Sequence, residues 1–246
     1  MCGRFALTSN ASTLSTQLGT DIHITLPPRF NIAPAQKVLV IRVRPHQQRR
    51  EPAFLKWGLI PSWADDPSIG ARLTNARAET AATKPSFRTS LRRQRCLIPA
   101  DGFYEWANIN GKKQPYYIRL ESKEPFALGG LWDTWERKGE KIETCTILTC
   151  SANTLMQPLH PRMPVVIQPH RFDTWLDPTQ TDAAALSQDL HTFPSESTAI
   201  YPVSNHVNNV QHDDSRCQEQ CLATAKTNTV KTRQSYSANQ LFLFDR

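Results

Sequence analysis

Short runs of β-branched and aromatic residues, separated by turn signals, recur along the chain. They predict strands over Lys37–Arg44, Phe54–Ile60, Tyr116–Leu120, Phe126–Trp132, Ile142–Thr149, Met163–Ile167 and Ala199–Val203. Helical spacing is rarer, confined to Ser12–Leu18, Ser86–Cys96, a short Arg171–Leu176, and Asp182–Leu190 with Thr181 or Asp182 as its cap. No regular strand–helix alternation suggests a parallel α/β sheet. The expected fold is therefore α+β, a mainly antiparallel, partly closed, barrel-like sheet with peripheral helices.

The pattern changes after about Val210. Residues 211–239 hold few large apolar side chains and many Thr, Ser, Asn and Gln, too little to order themselves by burial, and read as a flexible linker. The last seven residues, 240–246, turn apolar again, which suggests a segment displayed for a partner. The reading is thus a domain over 1–210, a linker over 211–239 and a terminal peptide over 240–246.

With 246 residues, 39% hydrophobic and 21% charged, the composition is globular and long enough for a sizeable core. No stretch has the roughly 18 to 20 apolar residues of a membrane span, and the N-terminus lacks the pattern of a signal peptide. A soluble, cytoplasmic protein is expected, monomeric by default. The net charge of +7 favours a polyanionic partner. Two basic runs stand out: Arg42, Arg44, Arg49 and Arg50, and Lys84, Arg88, Arg92, Arg93 and Arg95. Solvated surface is the competing reading of each run.

Six cysteines occupy positions 2, 96, 145, 150, 217 and 221, without the C-x2-C pairing of a zinc site, so no metal and no cofactor are expected. Cys96, Cys145 and Cys150 read as small core residues. Cys217 and Cys221 fall in the polar stretch and are expected to be inert. Cys2 differs, because removal of Met1 would expose a 1,2-aminothiol. An α-amine titrates at about 7.7–8.0 and a free thiol at about 8.5, so both groups are partly nucleophilic near neutrality. Such a pair condenses with an aldehyde: the amine forms a Schiff base and the thiol closes a thiazolidine ring on it.

Seven motifs follow in order: Met1-Cys2-Gly3-Arg4-Phe5, Asn31-Ile32-Ala33-Pro34, Trp57-Gly58-Leu59-Ile60-Pro61-Ser62-Trp63, Asn75-Ala76-Arg77-Ala78-Glu79-Thr80, Pro99-Ala100-Asp101-Gly102-Phe103-Tyr104-Glu105-Trp106, His160-Pro161-Arg162-Met163-Pro164 and Pro202-Val203-Ser204. Over residues 2 to 210 this set resembles the SRAP family (SOS response-associated peptidase), abasic-site processing proteins that cross-link themselves to damaged single-stranded DNA. The resemblance implies that Cys2, freed of Met1 by autolysis or an aminopeptidase, captures the ring-opened sugar of an abasic site. The trapped lesion would be shielded during the DNA damage response. A cytoplasmic, nucleoid-associated location would follow.

The resemblance assigns catalytic roles to Cys2, Asn75, Glu105 and His160. Glu105, read at the end of an apolar-aromatic strand, would supply acid–base chemistry for ring opening and reversal. His160, held by flanking prolines, would shuttle protons during imine formation. Asn75 would hydrogen-bond the sugar or the N-terminal amine, with a turn or cap role as the bland alternative. Arg4, Arg77 and Arg162 sit within two residues of these candidates and would hold flanking phosphates. Pro34, Trp63 and Trp106 would stack on or wedge between bases, with core packing as the rival reading for Trp106.

Gln240, Leu241, Leu243 and Phe244 resemble the bacterial sliding-clamp-binding pentapeptide, although Phe242 stands where Ser or Asp is usual. A 29-residue flexible linker would span about 30 Å and present the domain to nearby template. Two readings of other classes stay open. One is an N-terminal-nucleophile glutamine amidotransferase, which also begins Met-Cys-Gly; the other is a noncatalytic single-strand-binding module.

Overall fold

A computed structural model describes residues 2–187, 190 and 193–222. The strands among them are β1 (Arg4–Leu7), β2 (Arg29–Ile32), β3 (Lys37–Arg42), β4 (Glu51–Trp57), β5 (Asn75–Arg77), β6 (Arg95–Ala100), β7 (Gly102–Ile109), β8 (Lys112–Leu120), β9 (Phe126–Arg137), β10 (Glu140–Ser151), β11 (Arg162–Pro164), β12 (Val166–Ile167) and β13 (Thr198–Pro202). The helices are short: α1 (Ala11–Leu18), α2 (Ala78–Ala81), α3 (Arg88–Arg93), α4 (Phe172–Leu176) and α5 (Ala183–Ser187).

Pairings β4–β3, β3–β6, β6–β9 and β9–β10 are antiparallel, and a parallel β10–β4 pairing closes five strands into a barrel. Closure removes the exposed edges that an open sheet of this size would present. A second antiparallel sheet runs β13-β8-β7-β1-β2. The chain passes from one sheet to the other between β6 and β7 at Asp101, whose carboxylate accepts from the Thr8 and Ser9 backbone N–H groups just after β1. That contact ties the N-terminal strand to the crossover.

Inward positions of the barrel form the main core, which includes Cys2, Phe5, Val40, Leu55, Trp57, Leu97 and Ile147, all buried. Phe5 and Trp57 meet edge to face with centroids 5.4 Å apart. Full burial of such a ring stabilises by about 1.5–3 kcal/mol, so this pair anchors the N-terminal strand onto the barrel. Gly58, directly after Trp57, has φ +135°, and a Cβ there would lie 2.7 Å from the Gly70 carbonyl oxygen. The two backbones approach too closely for a side chain. Gly102 is similarly required, because a Cβ would stand 2.4 Å from the Tyr117 ring.

The expected fold class is the observed one, with three local corrections. The helix read over Ser86–Cys96 ends at Arg93; Arg95 and Cys96 begin β6, because register with Leu131 and Gly130 buries both of them. The strand expected over Phe54–Ile60 is β4, but its parallel pairing with β10, and the strand β5 that also runs parallel to β10, had no counterpart in the sequence reading. Most consequentially, Gln211–Leu222 is not a linker but a strap packed on β1 and β2. Asp213 accepts from the Phe30 and Asn31 backbone N–H groups at 2.5 and 2.9 Å and pairs with Arg29. Cys217 is fully buried with Ala6, Tyr104, Tyr117 and Val207. Polar composition misled here because the strap is held by hydrogen bonds rather than by apolar area. Residues 223–246, with the rest of the expected linker and the 240–246 peptide, lie outside the described residues.

The basic runs also resolve. Arg42 is fully buried, paired with Glu51 at 2.8 Å and Glu143 at 2.9 Å and lying over Trp132. Arg95 is buried and donates to the carbonyls of Leu91 and Trp175. Arg50 pairs with Asp173. Arg88, Arg92 and Arg93 remain exposed on α3.

Candidate active site

Three chain segments converge on Cys2. Its residue is fully buried just before β1, and β1 pairs with β7 so that Arg4 lies opposite Tyr104 and Phe5 opposite Phe103. This register brings Glu105, in the middle of β7 rather than at its end, beside the N-terminus. Burial, then the negative charge of Glu105, push the Cys2 thiol up to about 12. The thiol is therefore protonated at neutral pH.

The second segment is β5, held in parallel on β10 with Asn75 opposite Ile147. Asn75 Nδ2 donates to the Cys2 carbonyl oxygen at 2.9 Å, while its own Oδ1 is buried and has no partner among the described residues. An unmatched buried acceptor is rare in folded proteins and fits a waiting donor such as an amine or hydroxyl. Trp57 supports this loop from below, its Nε1 donating to the Thr74 carbonyl at 2.7 Å.

The third segment is the turn into β11. His160 Nδ1 lies 3.0 Å from the Arg162 N–H, 3.1 Å from the Arg162 carbonyl oxygen and 4.0 Å from Glu105 Oε2. A neutral Nδ1 can accept from that N–H, and a protonated one can donate to that carbonyl, so either state keeps a backbone partner. Such a ring can take up and release a proton without losing its position. Glu105 is buried, and its Oε1 accepts from the Trp106 N–H at 3.3 Å.

The arginines differ in their engagement. Arg77 is exposed on β5. Arg162 is gripped by Glu79 at 2.5 and 3.0 Å and by the Thr149 carbonyl. Arg4 donates to Asn31 Oδ1 and the Val207 carbonyl at 2.8 Å each, and to the Asn208 carbonyl at 3.3 Å, so its guanidinium ties β1 to the segment that leads into the strap. Among the aromatic and proline candidates, Trp63 is 53% exposed in the loop after β4, and Pro34 is half-buried in the β2–β3 turn. Trp106 is held by a 2.7 Å bond from its Nε1 to Asn208 Oδ1 and packs against the strap's core, which favours its structural reading.

Glu79, Asn31 and, just before the strap, Val207 and Asn208 were not singled out from the sequence. Glu79 and Asn31 stood inside the quoted motifs, and an acidic residue two positions after Arg77 was the available signal for a counter-ion. The Arg4 contacts with Val207 and Asn208 join residues about two hundred positions apart and left no such signal. His206, Asp214 and Cys217 place ligand atoms within 4.8 Å of one another. Arg216 occupies the Asp214 carboxylate at 2.8 and 3.1 Å, which argues against an ion there.

A family model described as SOS response associated peptidase (SRAP) matches residues 1–210, and the chain belongs to this family. It is 40% identical over 218 residues to the abasic site processing protein YoqW of Bacillus subtilis, covering 87% of this chain and 96% of that one. Identity to YedK of Escherichia coli, also named an abasic site processing protein, is 31% over 220 residues, covering 86% and 96%. The abasic site processing protein HMCES of Gallus gallus is 32% identical over 221 residues, covering 77% of this chain and 65% of that one. A crystal structure of a protein from Bacteroides thetaiotaomicron shares the fold with TM-score 0.80 and 24% identity, covering 90% of this chain and all of the other.

Proposed function

We propose that the chain recognises abasic sites in single-stranded DNA and traps them through Cys2 as a thiazolidine. Removal of Met1, by autolysis or by an aminopeptidase, frees the amine. That amine attacks the C1′ aldehyde of the ring-opened sugar, and loss of one water gives the imine. The Cys2 sulfur then adds to the same carbon while the thiol proton passes to nitrogen, closing the five-membered ring. The observation that carries this reading is the placement of Cys2, with Asn75 holding its carbonyl and Glu105 beside its thiol.

Burial suits the order of events. A thiol kept protonated leaves the first attack to the amine and closes the ring only when the imine is in place. Glu105 and His160 supply the proton groups: one protonates the sugar ring oxygen as it opens, and the pair moves the proton that leaves with water. Reversal runs the same steps backwards, a lyase-like activity. Arg77, and Arg162 once a phosphate competes with Glu79, hold the backbone either side of the lesion, and Trp63 offers a face for an adjacent base.

The same proposal extends to the 240–246 peptide as a sliding-clamp ligand, on the strength of Gln240, Leu241, Leu243 and Phe244. The domain would then be delivered to replicating, nucleoid-associated DNA.

The test is incubation with a single-stranded oligonucleotide bearing one abasic site, followed by a denaturing gel. A heat-stable adduct is expected with the mature protein. Cys2→Ser should give only a heat-labile imine, trapped when borohydride is present, and Cys2→Ala no thiazolidine. Equal heat-stable adduct from Cys2→Ser would overturn the ring-closing role of sulfur. Glutamine hydrolysis with no adduct would instead favour the amidotransferase reading.

A further inference from the structure

Outside the active site, β3, β4 and the start of β10 turn a basic, concave face to solvent. A groove of about 600 Å³ is lined there by Lys37, Lys56, Lys141, Arg44 and Phe54, and ends at Ala35. Lys37 and Lys56 stand directly opposite each other in the antiparallel β3–β4 register. Like charges facing one another across a sheet destabilise it unless an anion lies between them. Glu143, the carboxylate in the groove lining, does not supply that anion, because Arg42 and Arg44 hold it at 2.9 and 3.2 Å. Glu136 on β9 stands opposite Lys141 on β10 but lies outside the groove lining. Among the described residues, none of the three lysines pairs with a carboxylate.

Phe54 is 45% exposed in the midst of these lysines, opposite Leu39. A large aromatic on the outer face of a barrel, ringed by cations, is the arrangement that holds a nucleic-acid strand by stacking and phosphate contact together. One end of the groove lies next to Pro34. Ala35 follows Pro34, and its N–H donates to the Trp57 carbonyl at 2.8 Å, while the Trp57 ring on the inner face packs on Phe5. The strand that carries the Lys56 and Phe54 side chains outward thus carries Leu55 and Trp57 inward, toward the Cys2 end of the core.

Resting on the single-strand reading above, we infer that this groove is a second DNA subsite. It seats the strand leading away from the lesion past the Pro34–Ala35 turn, with Lys37, Lys56 and Lys141 on successive phosphates and Phe54 under a base. A lesion-bearing strand too short to round the turn does not reach it.

The test compares the wild type with the triple variant Lys37→Ala/Lys56→Ala/Lys141→Ala. Each meets two abasic single strands, one of about 5 nucleotides and one of about 30, near the lower end of and well above the site size of one binding module. On the long strand the slope of log affinity against log salt should become shallower by about 2, from roughly 0.7 per lost phosphate contact. Cross-link yield on the short strand should be unchanged, which also shows that the variant folds. Replacing the three lysines by arginine should restore the slope, and Phe54→Ala should weaken binding of the long strand only. A long-strand slope equal to the wild type's overturns the subsite, and so does equal weakening on both strands. If the wild type cross-links neither strand, the covalent reading falls, while the salt slope of reversible binding still decides the groove.

Discussion

Asn75 Nδ2 donates to the Cys2 carbonyl oxygen at 2.9 Å, a bond that joins the barrel's short parallel strand to the N-terminus across 73 residues of chain. Losing a partner for a buried polar group costs about 1–3 kcal/mol, so Asn75→Ala is expected to slow adduct formation by about tenfold or more. Asn75→Asp should be slower still, because an acceptor would then face the carbonyl. Single-turnover rates on an abasic oligonucleotide check both; a wild-type rate for Asn75→Ala would remove the positioning role.

The buried thiol makes a chemical prediction. With its pKa at about 12 rather than 9.0, Cys2 holds about a thousandfold less thiolate at neutral pH than a free thiol. Alkylation of the folded, unprocessed protein at pH 8 should mark half-buried Cys221 first and spare Cys2. The raised pKa also fixes a direction: stability from the neutral thiol is complete below pH 9 and is lost as pH rises toward 12. Peptide mapping after brief labelling reads the first effect. Rapid marking of Cys2 would contradict its burial.

How far the sequence revealed all this depended on the range of each interaction. Lys37–Arg42 and Phe172–Leu176 announce themselves through local composition, and the structure places both within two residues of expectation. The cluster of Cys2, Asn75, Glu105 and His160 was legible only as a resemblance, since nothing in spacing alone brings positions so distant into one pocket. Arg4 was read as a phosphate contact because it lies two residues from Cys2, and Trp106 as a base-stacking face, with core packing as its rival. Their Asn31, Val207 and Asn208 partners are set by tertiary packing, which composition does not encode. The strap was missed for the converse reason. A polar segment looks unable to order itself, yet one carboxylate, Asp213, satisfies two backbone donors and Arg29 at once.

Truncation should expose that strap. Removing residues 223–246 is expected to leave the thermal midpoint unchanged, whereas removing 211–246 should lower it strongly. Asp213→Ala alone strips two backbone N–H groups of their acceptor and is expected to destabilise by about 2–4 kcal/mol. Thermal or urea unfolding separates the three cases. Equal midpoints for the two truncations would return the strap to the linker first expected.

Glu79 and Arg162 give a pH signature of opposite sense to that of Cys2. The Arg162 hydrogen bond holds the Glu79 carboxyl below its usual 4.5. A depressed carboxylate pKa contributes stability that is complete above 4.5 and is lost as pH falls through the lowered value. Because the pair is half exposed, the effect is small and screened by salt. The difference in thermal midpoint between wild type and Glu79→Gln should therefore be constant from pH 7 to about 5 and shrink below 4.5. A difference that grew with acidity would contradict the pairing.

The central claim is that Cys2 supplies both nitrogen and sulfur to the lesion, and intact mass tests it most directly. The mature protein, its free N-terminal Cys2 confirmed beforehand, is reacted with an abasic single strand and weighed before and after borohydride, and again after iodoacetamide is added under denaturing conditions that expose every free thiol. The account predicts protein plus oligonucleotide minus one water, no gain of two hydrogens on reduction, and no alkylation at Cys2. An adduct that takes up two hydrogens and alkylates at Cys2 would be an open imine, and the absence of any adduct would contradict the claim altogether.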